Sequence, residues 1–269
     1  MKPLVRVLAA VTLLAAGLYA EEPSVPSSRE APLIRTYEFD FDQDLDGDKK
    51  PDFWKRTIDA EHPHYVPAEL DSSVSQAGKG SLRIKGDGAS AEYSSPLIRI
   101  EASAAYDVYG YVKCDSLTAV APRRSAAHIE IRLYDSDKAE IPLGSVKCFP
   151  DVTGTTEWQQ VSANDVAGKV GGARWLSVVA ALDGLSLTGS AWFDSISVRK
   201  RPIASLRTNR CANCFYASDR KLLSFEARGL SAGQYATKLR LLNAAGTEKH
   251  SVTLDSGASS EGVVSLTYV

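Results

Sequence analysis

The chain has 269 residues, 44% of them hydrophobic, 24% charged and 8% aromatic, with 19 Gly and 12 Pro. These are the proportions of a folded globular protein, and they exclude collagen-like, low-complexity and wholly disordered chains. Lys and Arg number 31 against 33 Asp and Glu, a net charge of −2, so no basic footprint for nucleic acid is expected.

In chain order, the first feature is an address. Lys2 and Arg6 flank the start of an apolar, small-residue run from Leu8 to Leu18, and Leu18-Tyr19-Ala20 leads into Glu21-Glu22-Pro23. That layout is a secretory signal peptide (1–20) with cleavage after Ala20. The run is shorter than the roughly 20 residues a bilayer span needs, and no Cys at the cleavage point offers a lipid attachment site. Loss of Lys2 and Arg6 gives the mature chain a charge of 29 − 33 = −4. The expected mature protein is secreted or periplasmic and does not insert in a membrane. Residues 21–32, with three Pro and three Ser among charges, read as a flexible leader.

The densest local signal follows in Phe39-Asp-Phe-Asp-Gln-Asp-Leu-Asp-Gly-Asp-Lys-Lys-Pro-Asp-Phe-Trp54. Asp42, Asp44, Asp46 and Asp48 alternate around Gly47, with Asp52 beyond. Calcium takes six to eight hard oxygen ligands, and a loop turning at Gly can aim alternate carboxylates at one point. The DxDxDG core resembles the loops of EF-hands, dockerins and thrombospondin type 3 repeats. It departs from the EF-hand at the twelfth position, where Phe53 replaces Glu, and it lacks flanking helices. The expected cofactor is structural calcium; the competing reading is a solvated acidic turn.

Short alternating runs then dominate. Leu82 and Ile84, Tyr106, Val108 and Val112, Ile129, Ile131 and Leu133, Leu176, Val178, Ala180 and Leu182, and Ile196 and Val198 recur at period two between Gly, Pro, Asp and Ser clusters. Such spacing predicts an antiparallel sandwich or barrel. A short helix within 59–72 stays open. Arg199-Lys200-Arg201-Pro202 marks a boundary. Beyond it, 222–227, 235–242 and 250–254 read as further strands of a small second domain (203–269), short for a seven-stranded sandwich.

Of the four cysteines, Cys211 and Cys214 form a lone CxxC, half of a zinc site at most. In an oxidising compartment the preferred reading is a Cys211–Cys214 disulfide, with Cys114–Cys148 as a second candidate.

Three stretches together resemble a known family. They are Tyr37-Glu-Phe-Asp40 leading to Pro51-Asp-Phe-Trp54; Gly78-Lys-Gly-Ser-Leu-Arg-Ile-Lys-Gly86; and Glu157-Trp-Gln-Gln-Val161, Ala173-Arg-Trp-Leu-Ser-Val178 and Ala191-Trp-Phe-Asp-Ser-Ile-Ser-Val198. Their order is similar to the galactose-binding-like jelly-roll carbohydrate-binding modules of secreted glycoside hydrolases, over about 165 residues. The resemblance implies an all-β fold: a jelly-roll β-sandwich (33–201), then an immunoglobulin-like β-sandwich (203–269) that is short or incomplete. It also implies a calcium clamped between the first and closing strands, with Asp40 or Glu38 and Asp194 as ligands, either separate from the acidic loop or sharing its ligands.

Strand alternation proposes a glycan surface. With Tyr106, Val108 and Val112 inward, Tyr109 and Tyr111 face outward. With Ile129, Ile131 and Leu133 inward, His128, Glu130, Arg132 and Tyr134 face outward. The competing reading is an ordinary wet sheet face. Trp54, Trp158, Trp175 and Trp192 are assigned to the core, His62 and His64 to a loop, and His250 to the surface. No GxSxG elbow, HExxH or Walker loop occurs, and no catalytic residue is singled out. The leading expectation is a non-catalytic polysaccharide-binding protein. A structural or adhesion spacer stands second; a jelly-roll carbohydrate-active enzyme, or the front end of a glycoside hydrolase, stands third.

Overall fold

The computed structural model describes residues 5–6, 12–15, 36–101, 104–118, 126–167, 170–208, 214–215, 223–230, 233–242, 247–258 and 264–268. Two compact units form: Thr36–Lys200, and residues 1–35 with 201–269.

Unit 36–200 is built from twelve strands: β1 Thr36–Phe39, β2 Lys55–Arg56, β3 Ala68–Asp71, β4 Ser81–Lys85, β5 Ala91–Ser94, β6 Ile98–Arg99, β7 Ala105–Thr118, β8 Ala126–Tyr134, β9 Val146–Lys147, β10 Gly154–Ala163, β11 Trp175–Asp183 and β12 Thr188–Arg201. They make two antiparallel sheets. The front sheet runs β9-β8-β11-β5-β2, with β6 also on β11; the back sheet runs β10-β7-β12-β4-β3, with β1 also on β12. The chain changes sheet between β1 and β2, β2 and β3, β4 and β5, β6 and β7, β7 and β8, β9 and β10, β10 and β11, and β11 and β12. The result is a jelly-roll β-sandwich, the fold that the alternating pattern and the resemblance led us to expect. Residues 59–72 contain turns and β3, and no helix.

Period-two alternation explains the core. Ile129, Ile131 and Leu133 of β8, Leu176, Val178, Ala180 and Leu182 of β11, and Val108 and Val112 of β7 are fully buried between the sheets. Gly110 allows a close approach of the two sheets: a Cβ there would lie 2.3 Å from Ile129 Cδ1 of the front sheet, and 3.1 Å from Ile196 Cγ1 on its own sheet. On β12 the alternation slips at Ser195, whose φ is +49°. Ala191 and Phe193 face inward before it, Ile196 and Val198 after it. This irregularity coincides with the change of partner from β4 to β1.

Cys114 and Cys148 are free, buried thiols, which corrects the candidate disulfide between them. Both point into the apolar interior, and burial pushes each thiol up to about 12. The pairing expected of Cys211 with Cys214 lies outside the described residues, because Cys211 does.

In the other unit, Ile203–Thr208, Leu223–Arg228 and Val264–Tyr268 form one antiparallel sheet. Glu248–Ala258 and Gly233–Leu242 form another. In the intact chain, Thr12–Ala15, part of the run read as an export signal, lies along Tyr235–Lys238 of that sheet. Val5–Arg6 pairs with Cys214–Phe215. Among the described residues no helix is long and apolar enough to cross a membrane.

Candidate functional site

The outer face of the front sheet is where this chain places chemistry. His128, Glu130, Arg132 and Tyr134 of β8 stand directly opposite Ala181, Val179, Ser177 and Trp175 of β11. On the far side of β11, Ala181 and Val179 face Glu92 and Ser94 of β5. Cross-strand neighbours share a face, so these residues form one surface. The side chains along the middle of the β11 row, Ser177, Val179 and Ala181, are buried, as is Glu92.

A charged network spans this surface. Arg132 forks onto Glu92, Nη1 to Oε1 at 2.8 Å and Nη2 to Oε2 at 2.6 Å, and its Nε donates to Glu130 Oε1 at 3.3 Å. Thr57, just beyond β2, donates to Glu92 Oε1 at 2.5 Å. His62 Nε2 stands 3.7 Å from Glu92 Oε2, while its Nδ1 pairs with Asp59 at 2.9 Å. The loop carrying His62 is pinned by Arg56, whose Nη2 donates to the carbonyls of Pro63 and Val66. His128 Nε2 lies 3.8 Å from Glu130 and 3.6 Å from Asp183, which also faces Lys147 at 3.5 Å.

These partners set the protonation states. Burial alone would raise the Glu92 carboxyl, but the Arg132 fork and the Thr57 hydroxyl outweigh it and hold it below the usual carboxylate range. His128 lowers the Glu130 carboxyl; burial opposes this and Arg132 adds to it. Glu92, against a cost of burial, raises the Arg132 guanidinium further above its already high range. All three stay charged throughout the neutral range.

Tyr134 closes one end of the face. Its hydroxyl lies 3.2 Å from Ser177 Oγ, and it stands beside Trp175, which is half-buried on this surface. Trp175 is therefore not a core residue, as the sequence reading had assigned it.

Tyr109 and Tyr111 belong elsewhere. They do face outward, but β7 and β8 lie in different sheets, so the six predicted ligand residues divide into four on the front sheet and two on the back. Tyr109 there lies under Arg199, with the guanidinium carbon 5.0 Å from the ring centre. Alternation gives the direction of a side chain relative to its own sheet, and does not say which sheet a strand joins.

The acidic loop joins β1 to β2. Phe41 and Trp54 anchor it by ring contact at 5.1 Å, with Phe39 on the other side of Trp54 at 5.2 Å. Side-chain oxygens of Asp44, Asp46 and Asp48 converge within 4.8 Å of one another, all exposed. Asp44 accepts from the amides of Gly47 and Lys49, Asp46 from Asp48, and Asp48 from the amide and ammonium of Lys50. Three hard carboxylates fit a hard dication better than a soft transition metal.

The remaining predicted ligands each accept from backbone amides. Asp52 accepts from the Leu45 amide at 2.7 Å and closes the base of the loop. Asp40 accepts from the Asp42 amide at 3.3 Å. Asp42 reaches across to the amides of Lys79 and Gly80, at 2.5 and 3.1 Å. Asp194, buried on β12, spends Oδ2 on the amides of Gln76 and Ala77 and Oδ1 on that of Ser195. Burial raises its carboxyl, with these amides working the other way. It thus anchors the 76–80 loop and stands outside the Asp44–Asp46–Asp48 group.

The sequence reading does not single out Glu92 or Thr57, and it places Trp175 in the core. Glu92 lies in Ala91-Glu-Tyr-Ser94, where buried Ala91 and Tyr93 already imply an outward Glu. That period-two signal was available but very short.

Fold and face together define an all-β, jelly-roll protein with an ion-paired sheet face that carries Tyr134 and Trp175 at one end. No protein-family model matches the chain, and no curated protein sequence matches it. Among solved structures, the chain is similar to a CBM22-1 xylan-binding domain of Xyn10C from Paenibacillus barcinonensis: 13% identity, TM-score 0.41, 61% of this chain and 93% of that one. It is also similar to TmCBM61 in complex with β-1,4-galactotriose: 15% identity, TM-score 0.36, 54% and 86% covered. A third likeness is to the enzymatically active domain of bacteriophage CBA120 tailspike protein 4: 12% identity, TM-score 0.41, 56% and 20% covered.

Proposed function

We propose that this chain is an exported, non-catalytic glycan-binding protein that lays a polysaccharide along the outer face of the front sheet. The observation that carries the reading is the Glu92–Arg132–Glu130 network, set into a sheet face beside Tyr134 and Trp175. A buried ion pair adds little stability over apolar side chains of equal volume. Its presence on a sheet face is better explained by a ligand than by folding. Sugar hydroxyls need fixed donors and acceptors, and the apolar side of a pyranose needs an aromatic face. This surface offers both, with orientations locked by its own hydrogen bonds.

The same network argues against hydrolysis on this face. A glycosidase needs one carboxyl that keeps its proton near neutral pH. Glu92 and Glu130 are both held low by their partners.

We further propose that Asp44, Asp46 and Asp48 hold a structural calcium. The loop they belong to runs directly into β2, the strand bordering the face, so an ordered loop supports the wall that carries Thr57. Residues 1–20 direct export, and the 203–269 unit is an immunoglobulin-like spacer.

The test is binding to a panel of soluble and insoluble polysaccharides, in calcium and in chelator. Saturable binding that weakens in chelator is expected, and a Glu92→Gln/Arg132→Met double variant, shown to be folded, should lose it. Full binding by the folded double variant would overturn the assignment. A folded wild-type protein that binds no polysaccharide would leave the adhesion-spacer reading in its place.

A further inference from the structure

One end of the face differs in charge from the rest. Tyr134, Trp175 and Arg99 form a row across β8, β11 and β6, each directly opposite the next. Side chains so placed have Cβ atoms about 4.5–5.5 Å apart on a shared face. Arg99 is exposed and Trp175 half-buried. Lys138, from the turn after β8, holds its ammonium 5.1 Å from the centre of the Trp175 ring.

Among the described residues, neither Lys138 nor Arg99 has a carboxylate within ion-pair distance, whereas Arg132 is committed to Glu92 and Glu130, and Lys147 to Asp183. Two acids stand beside the row: Asp135, whose Oδ1 accepts from the amides of Asp137 and Ala139 in its own turn, and exposed Glu140, which bridges Tyr134; neither is ion-paired with Lys138 or Arg99. Lys55 is a further exposed cation, but it stands opposite Ser94 at the sheet's other edge. Two uncommitted cations therefore flank an aromatic platform.

We propose that the Tyr134–Trp175–Arg99 row, with Lys138, is a subsite for a carboxylated sugar, so that the polysaccharide recognised carries uronic acid residues. This rests on the glycan reading of the face. The apolar side of the pyranose stacks on Trp175 beside Tyr134. The carboxylate lies between the Lys138 ammonium and the Arg99 guanidinium, whose planar fork suits bidentate carboxylate contact. Lys138 reaches the ring on a flexible four-carbon stem. A carboxylate at the platform's rim draws the ammonium off the indole and opens the ring to the sugar. A neutral sugar must displace that cation–π contact without compensation.

The test uses glucuronoxylan, alginate and polygalacturonate, each before and after carbodiimide–borohydride reduction of its carboxyl groups. Reduction changes charge and leaves the backbone linkage. Affinity electrophoresis or titration calorimetry should show at least one polymer losing about tenfold or more in affinity on reduction, the scale of one hydrogen-bonded charge contact. The Lys138→Met/Arg99→Gln double variant should remove that difference, binding the native and the reduced polymer alike. Added salt should shrink the preference, because these cations are exposed.

If native and reduced polymers bind alike, and Glu92→Gln/Arg132→Met abolishes both, the carboxylate subsite is wrong and the glycan face stands. A preference that survives in Lys138→Met/Arg99→Gln also overturns it. If no polymer binds in either form, the glycan reading falls and takes this inference with it.

Discussion

Replacing Arg132 by Met should be among the most damaging single changes in the jelly-roll unit, and its pH signature should be diagnostic. The Glu92 side chain is 5% exposed and that of Arg132 22%. Arg132 supplies two short hydrogen bonds to Glu92, leaving only Thr57 and the more distant His62 when it is gone. Stranding one member of a buried pair costs about 3–5 kcal/mol. The partial exposure of Arg132 puts this case near 3, a shift of about 6–12 °C in Tm for a unit of this size. Glu92→Gln is expected to cost less, since Arg132 keeps Glu130 and solvent.

The pH dependence carries a sign. In the native protein the folded Glu92 pKa lies below its ordinary 4.5. Its contribution is therefore complete above that value and fades as pH falls through the lower folded value. Without Arg132, burial dominates and the folded pKa rises above 4.5. The stranded charge then costs stability at neutral pH, and protonation relieves the cost as pH falls toward 5. Urea unfolding of both proteins between pH 7 and 5 should give a variant whose relative stability improves with acid. A loss under 1 kcal/mol, or a variant whose deficit does not narrow with acid, would refute the reasoning.

Two other changes follow from the packing. Gly78 has φ +68°, and a Cβ there would sit 2.2 Å from Asp42 Oδ2. Gly78→Ala should therefore cost about 1–3 kcal/mol and loosen the loop that Asp42 and Asp194 anchor; an unchanged urea midpoint would contradict this. Cys114 and Cys148, with thiols pushed up to about 12 by burial, should resist a thiol reagent at pH 8 in a Cys211→Ser/Cys214→Ser background. They should react only as the protein unfolds, and rapid labelling of the folded state would show the core is open.

What the sequence revealed depended on distance along the chain. Ile129, Ile131 and Leu133 could be assigned inward, and His128, Glu130, Arg132 and Tyr134 outward, because both sets follow from one strand's alternation. The acidic loop was visible because its carboxylates are neighbours. Glu92 was not, since its partner Arg132 lies forty residues away and nothing local in Ala91–Ser94 announces an ion pair. Trp175 was read as core because an aromatic beside Leu176 and Val178 suits an interior equally well. Only its pairing with Tyr134 and Arg99 puts it on the surface. Tyr109 and Tyr111 show the complementary limit: facing outward is a property of one strand, while sharing a face requires knowing the sheet.

The closing strand of the sandwich also settles how the unit would respond to tension. Thr36, at its start, pairs directly with Arg199 near its end, and Phe39 with Ile196. The chain therefore enters and leaves at the same end of one antiparallel strand pair. Pulling on those two points opens the pair like a zipper, breaking its hydrogen bonds one after another, where a shear geometry would stretch them together. A unit tethered at this end yields by peeling β1 away first, while the ion-paired face of the opposite sheet remains folded.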